Sequence, residues 1–109
     1  MARVRLAAQV VDFVRSQAPE PRRRLRRALK DLAAEKGDVR PLEGSLQDYS
    51  RLRVGSYRVI LRHASAKTID CVFAERREIV YEVFAEAMLD VLRAGAPREP
   101  ADDAEDEQS

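Results

Sequence analysis

The 109-residue chain has no tryptophan, one cysteine and one histidine. The single cysteine, Cys71, excludes an internal disulfide and a cysteine-based zinc site. The single histidine, His63, excludes a cluster of histidines around a metal ion. Cys71 alternates with Ile69 and Phe73, and this spacing predicts that all three side chains pack in the core. The length suits one domain.

Long apolar runs are also absent. No stretch approaches the ~20 apolar residues that a membrane span needs. Arg3 and Arg5 are followed by a mixed, amphipathic stretch, which differs from the apolar core of a secretory signal. We therefore expect a cytoplasmic protein without a membrane partner.

The formal net charge of +1 conceals an uneven distribution. Residues 99–109 contain six acids and no base, which leaves 13 acids against 20 bases in the rest of the chain, a net charge of about +7. The positive charge of residues 1–98 favours an anionic partner, with nucleic acid as the leading candidate. We expect one folded domain over residues 1–96 and a disordered acidic tail over residues 97–109.

Hydrophobic periodicity predicts a short strand at residues 3–6 and two amphipathic helices after it. Apolar positions recur at helical spacing from Leu6 to Gln17. Two prolines then interrupt the pattern, and Pro21 is suited to open a second helix that ends at Gly37. The short joint between the two helices predicts a helical hairpin.

The second half of the chain predicts strands and one more helix. Polar residues with Pro41 and Gly44 predict a loop over residues 38–48. Alternating apolar residues predict strands at 49–54, 57–63 and 68–74, which short turns join into an antiparallel meander. An apolar stripe predicts a last helix over residues 78–93, ended by Gly95 and Pro97.

Residues 51–62 read as a hairpin with a two-residue Gly55-Ser56 turn. In this pairing Val54 faces Tyr57 and Arg53 faces Arg58 across the strands. Four arginines then share one face of the hairpin, which we call the arginine face: Arg51, Arg53, Arg58 and Arg62. Directly opposed like charges destabilise a sheet by a few tenths of a kcal/mol or more. Guanidinium groups bind phosphate through two parallel hydrogen bonds, so this face predicts a phosphate-binding surface; the alternative is a solvated outer strand face.

A second group of polar residues lies where the last strand meets the last helix. Arg77 and Tyr81 are four residues apart, hence on one helix face, and Arg76 precedes them. An arginine there can stabilise developing negative charge, and a phenol beside a cation can exchange protons. The alternative is a surface arginine that stacks on a surface tyrosine.

Two further features are less specific. The basic run from Arg22 to Arg27 can contact an RNA backbone, but it flanks a leucine stripe and therefore also fits a solvated helix face. His63 is a candidate acid or base near the arginine face, although a histidine without a catalytic role is the simpler interpretation.

Three segments together resemble the RelE/ParE toxin superfamily of bacterial toxin–antitoxin systems: residues 41–46 (PLEGSL), residues 49–60 (YSRLRVGSYRVI) and the Arg77–Tyr81 pair. The resemblance runs from about residue 3 to residue 94. It implies a small α+β fold, in which an N-terminal helical hairpin and a C-terminal helix pack on a twisted antiparallel sheet of three to four strands. It also implies either ribosome-dependent mRNA cleavage, as in RelE-like members, or gyrase inhibition, as in ParE-like members.

Carried over by residue, the resemblance implies catalytic roles for Arg58, Arg77 and Tyr81. It implies RNA binding by Arg51 and Arg53, and it makes Arg76 a candidate beside Arg77. The arginine face adds Arg62 as a further predicted RNA-binding residue. We predict a toxin that cleaves mRNA on the ribosome without a metal or cofactor and that binds a cognate antitoxin. The alternatives are a non-enzymatic inhibitor of DNA gyrase and an inactive member that only binds its antitoxin or nucleic acid.

The chain also departs from the family pattern at four positions. Relatives often have lysines at or near position 51, and some have a carboxylate just before the Pro-Leu turn, where this chain has Arg40. Many have Gly-His before the junction arginine, whereas Ala74 and Glu75 stand here. An arginine is a poor proton acceptor, so these departures bear on the general base more than on RNA binding.

Overall fold

The computed structural model describes residues 1–42 and 46–84, and residues 81–84 by their backbone alone. The elements, in chain order, are β1 (Arg3–Leu6), α1 (Ala8–Arg15), α2 (Pro19–Ala33), β2 (Asp38–Pro41), β3 (Ser50–Val54), β4 (Tyr57–Ser65), β5 (Thr68–Arg76) and α3 (Arg77–Phe84).

Within the described residues the strands form one five-stranded mixed sheet in the order β1-β5-β4-β3-β2. The predicted antiparallel meander is present as β3, β4 and β5. The prediction of three to four antiparallel strands is wrong in two respects: β1 pairs with β5 in parallel, and β2 adds an edge strand beside β3. The two edge strands of the sheet, β1 and β2, are therefore only four residues long.

Strand β2 occupies part of the predicted loop. Val39 lies opposite Leu52, and Pro41 lies opposite Ser50 at the end of the pairing. Proline has no N–H to donate to a sheet, so it is tolerated at the edge, where one side of the strand has no partner. The polar and proline-containing sequence of β2 thus resembles a loop, although its backbone pairs with β3.

The two N-terminal helices cover one face of the sheet. Pro19 occupies the first turn of α2, which therefore begins two residues before the predicted Pro21. The first core cluster combines buried residues of both helices with buried residues of the sheet: Val10, Val14, Leu25, Leu29, Leu32, Leu52, Val54, Val59, Leu61, Ile69, Cys71 and Ala74. Two consecutive N-terminal helices with a short joint at residues 16–18 are present, as predicted.

The opposite face carries a smaller core under α3. Its buried residues are Leu46, Ile60, Val72 and Val80, with Phe73 and Tyr49 packed against them. The middle of the sheet is thus buried on both sides. Helix α3 begins at Arg77, one residue before the predicted start; residues 85–93 of the predicted helix and the predicted tail lie outside the described residues.

A β-bulge in β5 changes which side chains face each core. Ile60 lies opposite Phe73 and Leu61 lies opposite Cys71, so Val72 is an extra residue in β5. The strand's alternation reverses there. The prediction that Ile69, Cys71 and Phe73 face the same way is therefore wrong for Phe73, which packs in the second core with Ile60.

No helix in the described part of the chain is both long enough and apolar enough to cross a membrane.

Candidate nucleic-acid interface

The hairpin that carries the arginine face has the predicted register. Val54 lies opposite Tyr57, and Arg53 lies opposite Arg58. Gly55 has φ +59°, a left-handed conformation that favours glycine, and a Cβ there would lie 2.8 Å from Nη1 of Arg24. The tip of the hairpin thus packs against helix α2 as well as turning the chain.

The row of the sheet that contains Arg58 has two arginines at its centre and a carboxylate at each end. Asp38 on β2 lies opposite Arg53, and Glu75 on β5 lies opposite Arg58. The four side chains share one face because directly paired residues project the same way. A carboxylate at each end offsets the repulsion between the two central arginines, so this row is compatible with a stable sheet.

Arg58 is the most buried charged side chain of the arginine face, with 5% of its surface exposed. Its Nη1 donates to the carbonyl oxygens of Gly55 at 2.9 Å and of Tyr57 at 2.8 Å. Its Nε is buried and donates no hydrogen bond to any described residue. Burying a cation is costly unless its donors are satisfied. Arg58 therefore retains hydrogen-bonding capacity of the kind that an anion uses.

Arg51 lies in the next row, between Arg40 and Ile60. It is half-buried, and its Nη1 is buried without a hydrogen-bond acceptor among the described residues. Arg40 is exposed, and its Nε lies 3.5 Å from Oδ1 of Asp38. Arg53 is exposed. The structure thus brings Arg51, Arg53 and Arg58 together on one face of the sheet.

Arg62 belongs to a different group of charges. It lies opposite Asp70 on β5, and Asp70 in turn lies opposite Arg5 on β1. Asp70 is 1% exposed and accepts two hydrogen bonds from Arg5. The Arg5–Asp70 pair was not found from sequence; a carboxylate between the apolar residues Ile69 and Cys71 was the available signal.

The start of α3 is anchored at the hairpin tip. The backbone N–H of Arg77 donates to the carbonyl oxygen of Ser56 at 2.7 Å, two residues before Arg58. The Arg77 side chain is exposed. Tyr81 lies one helical turn later on the backbone of α3, and its side chain is outside the described part of the chain. The predicted roles of Arg77 and Tyr81 stay predictions.

Two basic residues named from the sequence lie elsewhere. Arg76 is opposite Tyr57, whose side chain packs on the first core, so the register places Arg76 on the face of helices α1 and α2. His63 is exposed and lies opposite Ile69, a residue of the same first core. Neither residue shares the face of Arg53 and Arg58.

Cys71 is unsuited to nucleophilic chemistry. Burial, with the neighbouring Asp70 charge as a second cause, raises the pKa of its thiol to about 12. The thiol is thus protonated at neutral pH. Within residues 1–42 and 46–84 there is also no group of three metal-ligating side chains that could hold a metal ion.

The chain matches no protein-family model and no curated protein. Two solved structures show the same fold at low identity. The RelBE2 toxin–antitoxin complex of Mycobacterium tuberculosis is 20% identical, with a TM-score of 0.62 over 70% of this chain and 98% of the other. The RelB–RelE complex of Methanococcus jannaschii is 21% identical, with a TM-score of 0.59 over 73% and 98%.

A third solved structure is more similar in sequence. A chain of the archaeal RelE–RelB complex from Pyrococcus horikoshii OT3 is 32% identical, with a TM-score of 0.55 over 70% of this chain and 94% of the other. The match extends over nearly the whole of that relative and agrees with the resemblance seen in the hairpin. This chain belongs to the RelE family of toxins from toxin–antitoxin systems.

Proposed function

We propose that this protein inhibits translation by cleaving mRNA on the ribosome. The observation that carries the proposal is Arg58, a buried cation whose Nε donates to no described residue, on a sheet face that also presents Arg51 and Arg53. A face of this kind suits the closely spaced phosphates of single-stranded RNA, which a protein contacts through backbone charge and exposed bases. Family membership supports the same function.

The proposed reaction uses a nucleophile that the RNA itself supplies. The ribose 2′-oxygen attacks the adjacent phosphorus and a new P–O bond forms, while the bond from phosphorus to the 5′-oxygen of the next nucleotide breaks. The 2′-hydroxyl proton passes to a base, and the leaving 5′-oxygen receives a proton. Arg51, Arg53 and Arg58 hold the phosphates. Arg77 stabilises the charge of the pentacoordinate transition state.

Proton transfer requires a group that accepts the 2′-hydroxyl proton. Glu75 lies directly opposite Arg58 and shares its face, and its side chain is half-buried. It is the described carboxylate closest in register to Arg58, so we assign it the role of general base. Tyr81 is the proposed donor to the leaving oxygen or a stacking platform for a base.

We further propose a cognate antitoxin as the protein partner. The three similar structures are complexes of a toxin with its antitoxin. An acidic antitoxin segment suits the basic body of this chain, and a segment that folds on binding can cover a large surface. The antitoxin would cover the arginine face or displace α3. The site of action would be the cytoplasm, where ribosomes translate.

The test is a translation assay with purified protein, programmed ribosomes and a defined mRNA. Toeprinting should show new mRNA ends in the ribosomal A site, and adding the antitoxin should abolish them. A supercoiling assay with DNA gyrase is run in parallel on the same preparation. Inhibited supercoiling with intact mRNA would replace the proposal by the gyrase alternative, and inactivity in both assays would leave a binding protein.

A further inference from the structure

Helix α2 presents an unusually basic exposed surface. Leu25, Leu29 and Leu32 are buried against the sheet. The opposite side carries exposed basic residues, which we call the α2 basic surface: Arg23, Arg24, Arg26, Arg27 and Lys30. None of these five forms an ion pair with a residue that the structure describes. Like charges this close on a helix repel each other, so the surface favours a bound anion.

The α2 basic surface borders an open hollow of about 460 Å³. Its lining residues are Glu20, Arg23, Arg24 and Arg27. Arg24 also touches the hairpin tip, because its Nη1 lies 2.8 Å from the position of a Cβ on Gly55. Three guanidinium groups therefore converge on a space that admits acidic side chains.

The arginine face of the sheet is less available to a competing anion of this chain. Arg58 is buried, and carboxylates of Asp38 and Glu75 lie at the two ends of its row. Asp70 already engages Arg5 on the same face. The hollow that the α2 basic surface borders is lined by one carboxylate, Glu20, against three arginines. An intramolecular anion is thus attracted to α2 more strongly than to the sheet.

This chain contains such an anion in residues 99–109, which hold six acids and no base. Glu99 follows Phe84 by fifteen positions. Fifteen steps reach about 22 Å as a helix and about 50 Å when extended. Helices α2 and α3 lie on opposite sides of one sheet, two layer spacings apart, which is about 20 Å at about 10 Å for each spacing. The tail is therefore long enough to reach α2.

We propose that the acidic segment 99–109 docks on the α2 basic surface of its own chain. Tethering gives the tail an effective concentration in the millimolar range, so even weak surface ion pairs suffice for occupancy. A polyanion that binds α2 must first displace the tail. The tail is thus an internal competitor that makes this surface selective for ligands of higher charge density.

A paramagnetic label tests the contact in the full-length protein. Ala104→Cys places a nitroxide in the middle of the acidic segment, and buried Cys71 is protected from the reagent. At about 0.01 M salt, where the Debye length is about 30 Å, the amide signals of residues 20–30 should lose intensity. They should recover at about 1 M salt, where it is about 3 Å.

Two sets of charge variants complete the test. Replacing the lining arginines together (Arg23→Gln, Arg24→Gln and Arg27→Gln) should abolish the intensity loss. A matched triple, Arg3→Gln, Arg15→Gln and Lys36→Gln, removes the same charge from exposed positions elsewhere and should preserve it. Intensity loss centred on β3 and β4, spread evenly over the protein, or unchanged in the α2 triple variant would overturn the proposal.

Discussion

Arg5 and Asp70 form a bidentate ion pair across the parallel strands β1 and β5. Nε of Arg5 donates to Oδ1 of Asp70 at 2.6 Å, and Nη2 donates to Oδ2 at 2.9 Å. Asp70 is 1% exposed, whereas 48% of the Arg5 side chain is accessible. The buried carboxylate thus accepts both of these hydrogen bonds from one half-exposed guanidinium. The ion pair links β1, the first strand of the chain, to β5.

We expect Arg5→Ala to destabilise the fold. The substitution leaves the buried Asp70 carboxylate without its charged donor, a loss that we place at about 2–4 kcal/mol, since Arg5 is half-exposed and fully buried pairs cost more. Denaturant unfolding measures the change. Arg3→Ala removes an exposed arginine from the same strand and should change stability by no more than about 0.5 kcal/mol. Equal effects of the two substitutions would contradict the assigned role of the pair.

Gln9 should contribute to stability because its side chain makes the two backbone hydrogen bonds to β5 that a neighbouring strand would otherwise make. Its side-chain Nε2 donates to the carbonyl oxygen of Ala74 at 2.7 Å, and its Oε1 accepts from the Ala74 N–H at 2.8 Å. Strand β1 pairs with β5 only as far as Cys71, so Ala74 has no strand partner on that side. Gln9→Met keeps the bulk and removes both hydrogen bonds, which should cost about 1–3 kcal/mol.

Hydrogen exchange localises this effect. The amide of Ala74 should exchange faster in Gln9→Met than in the wild type, while amides of the β3–β4 pairing keep their protection relative to global unfolding. A uniform change over the sheet would mean that Gln9 acts through general packing and not through the backbone of Ala74.

The sequence predicted the elements whose partners are close along the chain. The Gly55-Ser56 turn and the alternation around it determine the register of β3 and β4, and both were predicted correctly. The leucine stripe of α2 was also sufficient to predict its buried face. In each case the pattern is completed within about fifteen residues, so local spacing contains the necessary information.

Features that depend on distant partners were missed. β1 pairs in parallel with β5, which lies more than sixty residues later in the chain, so local spacing contains no sign of the pairing. β2 has a sequence that is typical of a loop, although it pairs with β3. The bulge at Val72 changed the side of Phe73 without any glycine or proline to indicate it. The arginine face was predicted, but the burial of Arg58 was not, because burial depends on the packing of the whole hairpin tip.

Cys71 should resist alkylation in the native protein. Burial raises the pKa of its thiol from 9.0 to about 12, and only the thiolate reacts. At pH 8 this shift alone lowers the thiolate fraction about 10³-fold relative to the unfolded chain. The folded state favours the protonated thiol, so Cys71 contributes to stability below about pH 9. This contribution to the free energy of unfolding is lost as the pH rises from about 9 to 12.

Labelling with iodoacetamide at pH 8, in native buffer and in denaturant, measures this protection. Ala66→Cys adds a thiol in the exposed turn between β4 and β5 and gives the reference rate for an accessible cysteine. Native Cys71 should react far more slowly than that reference and equally fast once unfolded. Comparable native rates would show that β5 opens readily at its centre.

The catalytic prediction separates phosphate binding from proton transfer. Arg58→Lys retains a positive charge but loses the planar fork, and Arg77→Ala removes an exposed donor; each should lower mRNA cleavage on the ribosome by about 10²–10³. Glu75→Gln keeps the shape of the side chain and removes the proton acceptor, so it should lower the cleavage rate with little change in RNA binding. Tyr81→Phe keeps a stacking ring and loses the hydroxyl.

Melting temperatures and antitoxin binding verify that each variant is folded. Arg15→Ala is the matched control: it removes an exposed arginine from α1 and should cleave mRNA at the wild-type rate. RNA affinity should fall in Arg58→Lys and stay at the wild-type value in Glu75→Gln and Tyr81→Phe. Of these three residues, only Arg58 is proposed to contact a phosphate before the reaction begins. A folded Glu75→Gln that cleaves at the wild-type rate would remove Glu75 as the base. Unimpaired cleavage by both arginine variants would mean that the arginine face and the start of α3 do not form the active site.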